Sequence, residues 1–121
     1  MAEIVHIALV KLDAENDDAL ARDYVVEHAY RLLPLIPGVT SFQVARALPE
    51  VIALSDAQAH HTNAPPEKSW DLALTFRLGS AAAHERFKLD PDRLAFFDQF
   101  LRPKAVALKA WSFEVLESQS S

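Results

Sequence analysis

"EIVHIALVKL", residues Glu3–Leu12, decides how the rest of the chain is read. It has the make-up of a β-strand, whose side chains alternate between two faces. One set is Ile4, His6, Ala8, Val10 and Leu12; the other is Glu3, Val5, Ile7, Leu9 and Lys11. Both sets are apolar through their middle. A strand of this kind needs cover on both sides. The more apolar set also carries an imidazole, which calls for a chemical explanation.

Working outward, "DAENDD" (Asp13–Asp18) is acidic and offers N-cap candidates for a helix. Leu20, Tyr24, His28 and Leu32 then form one line at helical spacing, with Val25, Ala29, Leu33 and Ile36 beside it. Pro34 and Pro37 end this helix, and Pro37-Gly38 marks a turn. A second strand is predicted over Val39–Leu48. The connection Pro49–Ser69 is long for a compact domain and reads as a surface excursion or a functional lid. "WDLALTFRL" (Trp70–Leu78) is a third strand, with Trp70, Leu72, Leu74, Phe76 and Leu78 on one face and Asp71, Ala73, Thr75 and Arg77 on the other. Gly79-Ser80 leads into a second helix over Ala81–Leu89, which Asp90-Pro91 interrupts before another helical segment over Asp92–Pro103. A fourth strand is predicted over Ala105–Leu116, and Glu117–Ser121 reads as a frayed tail.

The order strand, helix, strand, strand, helix, strand is the split βαβ pattern. It predicts an α+β, ferredoxin-like fold over residues 1–121 as a single domain. Helices lie on one face of a four-stranded antiparallel sheet, and the first and third strands are central. Two helices cover one sheet face only. Three apolar side chains of the first strand are then left on the other face, each worth roughly 1.5–3 kcal/mol when buried. A second copy packed face to face would cover them, so a homodimer through sheet faces is expected. The competing reading is a one-sided sheet with a moderately apolar surface, which Asp71, Thr75 and Arg77 favour.

Composition narrows the function classes. The chain has 121 residues, half of them hydrophobic and 24% charged, which suits a globular domain. Its net charge of −5 comes without a basic cluster, so neither nucleic acid nor an anionic membrane is an expected partner. It has no cysteine, which removes disulfides, thiol catalysis and cysteine-ligated metals. No apolar run approaches the ~20 residues of a membrane span. Glu3 and His6 stand where a signal peptide would need a basic stretch and an apolar block, so cytoplasmic residence is expected. Only two glycines are present, and there is no phosphate loop and no dinucleotide fingerprint. No cofactor and no metal are expected.

The opening "IVHIALVKL", the helix end "LLPLIPGV", then "SFQVARAL", "WDLALTF", a helix with an Asp-Pro break and the closing "AWSFEV" resemble the stress-responsive A/B barrel (Dabb) family, the dimeric α+β barrel proteins. The resemblance covers nearly the whole chain apart from Pro49–Ser69. It implies ferredoxin-like protomers pairing into a sheet-lined barrel, and no single activity, since a fold does not set function. Some members are plant polyketide cyclases of the olivetolic-acid type, which act by aldol chemistry without metal or cofactor. Their pattern pairs a histidine on the first strand with a second histidine in an HPxH segment, with tyrosines nearby. His6 matches the first. The HPxH segment reads Asp90-Pro91-Asp92-Arg93 here, and Phe87 and Ala29 stand at the tyrosine positions.

His6 is the principal site candidate. A desolvated imidazole has a lowered pKa and is available as a general base at neutral pH. Equally, it reads as a hydrogen-bonded core histidine lining a cavity. His28, Phe87, Arg93 and Trp111 are candidate pocket-lining residues, and His28 is placed to pack near His6. Arg93 with Asp90 and Asp92 reads as an anion site or as a helix-start charge set. Phe96, Phe97, Phe100 and Phe113 read with Phe87 and Trp111 as core or as walls of an apolar pocket. His60-His61, with Asp56 and Glu67 nearby, reads as a solvated loop, and His84 as a surface residue. Two functions follow. One is a homodimer without assigned chemistry that holds a small apolar ligand beside His6. The other is a cofactor-free lyase, isomerase or polyketide-cyclase-like enzyme with His6 as base.

Overall fold

The computed structural model describes residues 2–13, 19–47 and 70–116. The connection 49–69, with His60, His61, Asp56 and Glu67, and most of the acidic stretch after the first strand lie outside these.

Four strands form one antiparallel sheet: β1 (Ile4–Leu12), β2 (Val39–Arg46), β3 (Leu72–Leu78) and β4 (Ala105–Glu114), in the order β2-β3-β1-β4. The first and third strands are central, as the sequence predicts. Helix α1 (Ala19–Leu32) leads to β2 through a short 3-10 turn. Helices α2 (Ala81–Leu89) and α3 (Pro91–Ala95) follow β3. A wider π turn (Phe96–Leu101) and a 3-10 turn (Arg102–Lys104) bring the chain to β4.

Local chemistry sets the boundaries. Ser80 caps α2, its Oγ accepting from the Ala83 amide at 3.1 Å. Asp90 is extended (φ −65°, ψ 126°), so α2 stops there. Its carboxylate accepts from the amides of Asp92 and Arg93, and so starts α3 with Pro91 in the first turn. The Pro37-Gly38 turn is tight for a different reason. Gly38 has φ +94°, and a Cβ there would lie 2.7 Å from the Ala83 Cβ, so the turn and α2 touch where only hydrogen fits.

Register assigns the faces. His6, Ala8 and Val10 of β1 pair with Phe76, Leu74 and Leu72 of β3. These residues, with Leu12 and Leu78, are buried beneath Val25, Ala29, Leu33, Phe87, Phe96 and Leu101. This is the core. Helix α1 buries Ala21, Val25 and Ala29, a narrower stripe than its sequence suggests, and Leu20 is 81% exposed. The opposite sheet face carries Val5, Ile7 and Leu9, paired with Arg77, Thr75 and Ala73 of β3 and with Phe113, Trp111 and Lys109 of β4. No helix among the described residues lies over it. Trp111 and Phe113, expected in the core, are 45% and 53% exposed there. Glu3 and Arg77 form an ion pair on this same face. No helix among the described residues is long and apolar enough to cross a membrane.

Candidate functional site

His6 is 6% exposed and is the single buried polar side chain among the described residues. The strand register places it opposite Ser112 on β4, and its Nδ1 lies 2.8 Å from the Ser112 Oγ. The same hydroxyl lies 2.9 Å from His84 Nε2, which α2 supplies from above the sheet. The two imidazole centroids are 6.0 Å apart. Phe76 and Phe87 close around His6, at 5.8 Å and 5.3 Å between centroids. The far nitrogen, His6 Nε2, is buried with no hydrogen-bond partner among the described residues.

Arg93 comes from the first turn of α3, which the Asp90 cap fixes against α2. Its guanidinium stands 5.0 Å from the centroid of Phe87 and 5.1 Å from that of Phe97. One amino group donates to the Lys88 carbonyl at 3.1 Å, while Nε is buried and unpartnered. The His6 ring and the Arg93 guanidinium, each with one unpartnered nitrogen among the described residues, both contact the Phe87 ring.

Burial, the Arg93 charge and His84, in that order, lower the His6 pKa to about 4. His6 is thus a neutral imidazole at physiological pH. Burial also lowers the Arg93 pKa, and Asp90 partly offsets this. The arrangement sets one neutral imidazole nitrogen and one guanidinium N–H in an aromatic setting. It suits an oxygen atom on an otherwise apolar molecule. As a base, an imidazole held so far below neutrality is weak.

An apolar cleft of about 200 Å³ opens between the π turn and β4, lined by Phe97, Leu101, Ala105, Val106 and Leu108 among others. His6 does not line it. Phe97 is shared between this cleft and the Arg93 guanidinium.

Of the residues singled out from sequence, His6, Phe87 and Arg93 come together. His28 is engaged elsewhere: its Nδ1 donates to the Tyr24 carbonyl at 2.8 Å and its ring stacks on Phe100 at 4.5 Å. The imidazole beside His6 is instead His84, which the sequence reading leaves on the surface. Trp111 is corrected too. It pairs with Ile7, so it belongs to the opposite sheet face from His6 and Ser112. Asp90 is a helix cap rather than part of an anion site. The roles of Ser112 and His84 escape the sequence reading, because Ser112 is one of three polar residues in its strand, with Lys109 and Glu114, and nothing in the spacing singles it out. Among the described residues no three His, Asp or Glu side chains gather as a metal-ligand set.

The sequence matches no protein-family model and no curated protein. Solved structures share its fold across nearly the whole chain. A Dabb family protein with a ferredoxin-like fold from Mesorhizobium loti has a TM-score of 0.72 at 19% identity, covering 97% of this chain and 100% of that one. A dimeric ferredoxin-like protein of unknown function from Thermobifida fusca has a TM-score of 0.70 at 17% identity, covering 94% and 92%. A hydroxynitrile lyase from Passiflora edulis has a TM-score of 0.69 at 14% identity, covering 98% and 97%. The chain thus shares the ferredoxin-like fold of these proteins.

Proposed function

We propose that this chain is a cytoplasmic homodimer of the stress-responsive A/B barrel type, paired through its uncovered sheet faces, and that each protomer holds a small, largely apolar ligand beside His6. One observation carries the ligand reading: His6 Nε2 and Arg93 Nε are both buried without a partner at the same ring, Phe87. An unpaired buried polar group costs about 1–3 kcal/mol. A ligand oxygen would relieve that cost. The pairing is supported by the apolar face of Val5, Ile7, Leu9, Trp111 and Phe113, and by a dimeric neighbour of the same fold.

The test is a titration with octanoate and phenylacetate, followed by thermal shift and by the His6 imidazole signals in NMR. Saturable stabilisation in the wild type, absent in His6→Ala, is expected. Shifts that neither saturate nor depend on His6 would overturn the reading.

A second reading is a cofactor-free lyase or isomerase using His6 as general base. It is favoured by the free-base state of His6 at neutral pH and by the fold shared with the Passiflora hydroxynitrile lyase. The weakness of that base ranks it second. A cyclase mechanism of the olivetolic-acid type ranks lower still, because Arg93, Phe87 and Ala29 replace the other residues of that pattern.

A further inference from the structure

His84, Ser112 and His6 form an unbroken chain from a partly exposed helix position to the buried site, with contacts of 2.9 Å and 2.8 Å through one hydroxyl. A serine hydroxyl has one proton to donate, and a neutral imidazole has one donor and one acceptor nitrogen. We infer that His84 acts through Ser112 on His6: the charge of the outer imidazole sets which nitrogen of the inner one carries the proton, and so whether the buried site offers its ligand a donor or an acceptor.

When His84 is protonated, its Nε2 must donate to Ser112. The hydroxyl then donates to His6 Nδ1, because a chain of aligned dipoles strengthens each of its bonds. In the alternative the oxygen accepts from both imidazoles on its two lone pairs, which turns the hydroxyl proton out of the chain and sets the two N–H dipoles against each other. With Nδ1 accepting, the His6 proton sits on Nε2, and the site presents a donor suited to a carboxylate or carbonyl oxygen. When His84 is neutral, the polarity is free to reverse. The Arg93 charge beside His6 then favours a bare Nε2, leaving the proton on Nδ1, which donates to Ser112. His6 itself stays neutral throughout, since burial and Arg93 hold its pKa to about 4.

The other charged groups around the pair come from each packed element. Arg93 and Asp90 flank α3 and its start. On α2, Glu85 and Lys88 pair with each other at 3.0 Å. On β4, Glu114 shares the face of Ser112, two residues along. β3 presents Phe76, which does not titrate.

This inference rests on the reading that His6 Nε2 faces a ligand, but its test needs none. Protein labelled with ¹⁵N-histidine is titrated with acid and observed by long-range ¹H–¹⁵N correlation. As His84 takes up its proton, the His6 Nε2 resonance is expected to move from the unprotonated to the protonated range, and Nδ1 in reverse, with the midpoint of His84. Ser112→Ala should hold the His6 tautomer constant while His84 still titrates, and Ser112→Thr, which keeps the hydroxyl, should restore the coupling. His84→Leu, at a partly exposed helix position, should also give a constant tautomer. A wild-type His6 tautomer that ignores the His84 titration, or one that follows pH equally in Ser112→Ala or His84→Leu, would overturn the inference and leave the ligand reading standing.

Discussion

Ile7 and Trp111 face each other across the β1–β4 ladder on the side of the sheet that no helix among the described residues covers, while their neighbours His6 and Ser112 pair on the side that α2 packs against, where His6 is buried and Ser112 exposed. One strand pair thus carries two roles, because successive side chains point to opposite faces. In the proposed homodimer Ile7 and Trp111 belong to the pairing face, and His6 and Ser112 to the face of the proposed site. Trp111→Lys should therefore weaken self-association and spare the protomer core. A buried Trp at the centre of an interface typically contributes at least ~2 kcal/mol, so the dimer dissociation constant should rise at least ~30-fold. Sedimentation over a concentration series reads this directly.

Acid should reveal His6. Its folded pKa of about 4 lies below the ordinary 6.5. Between those values the unfolded chain binds a proton that the folded chain does not. The His6 contribution to stability is therefore fully present above the upper value and is lost as pH falls towards the lower one. The loss should be roughly 3 kcal/mol across that window. Urea denaturation of wild type and His6→Gln at both ends measures it, and the variant should show a flatter slope.

Arg93→Met should separate stability from binding. The substitution removes a partly buried guanidinium with an orphaned Nε and leaves a flexible apolar chain against Phe87 and Phe97. Stability should change by less than about 1 kcal/mol in either direction. Octanoate binding should fall at least tenfold by calorimetry.

Gly38→Ala should be among the costly single-methyl changes in this protein. It combines a positive φ with a 2.7 Å approach to the Ala83 Cβ. A loss of about 1–3 kcal/mol is expected from denaturation curves. Ala83→Gly in the same chain should recover the steric share and leave the backbone share, giving a coupling energy that a double-mutant cycle measures.

Much of this was legible in the residues. The two apolar sides of β1, the Pro37-Gly38 turn and the Asp90-Pro91 break set the element order, and that order sets the topology. His6 stood out as an imidazole in an apolar set, and Phe87 and Arg93 gather around it. The phase of β4 was not legible. "AVALKAWSFEVL" has apolar residues in both alternating sets, so a period of two could not say whether Trp111 or Ser112 shares the face of His6. Only pairing with β1, more than a hundred residues away in sequence, fixes it. His84 was missed for the same reason, since its partner Ser112 reaches it through that register. On α1, alanines at Ala21 and Ala29 fill the buried stripe, while the larger Leu20 and Tyr24 drew the predicted stripe off centre.

The division of the sheet into a site face and a pairing face is tested most directly by the solution mass of the wild-type chain, measured by sedimentation equilibrium at micromolar concentration. The account predicts twice the 13.5 kDa protomer mass, falling towards a single protomer in Trp111→Lys. A wild-type mass of one protomer at every concentration, with Trp111 open to solvent quenchers, would contradict it.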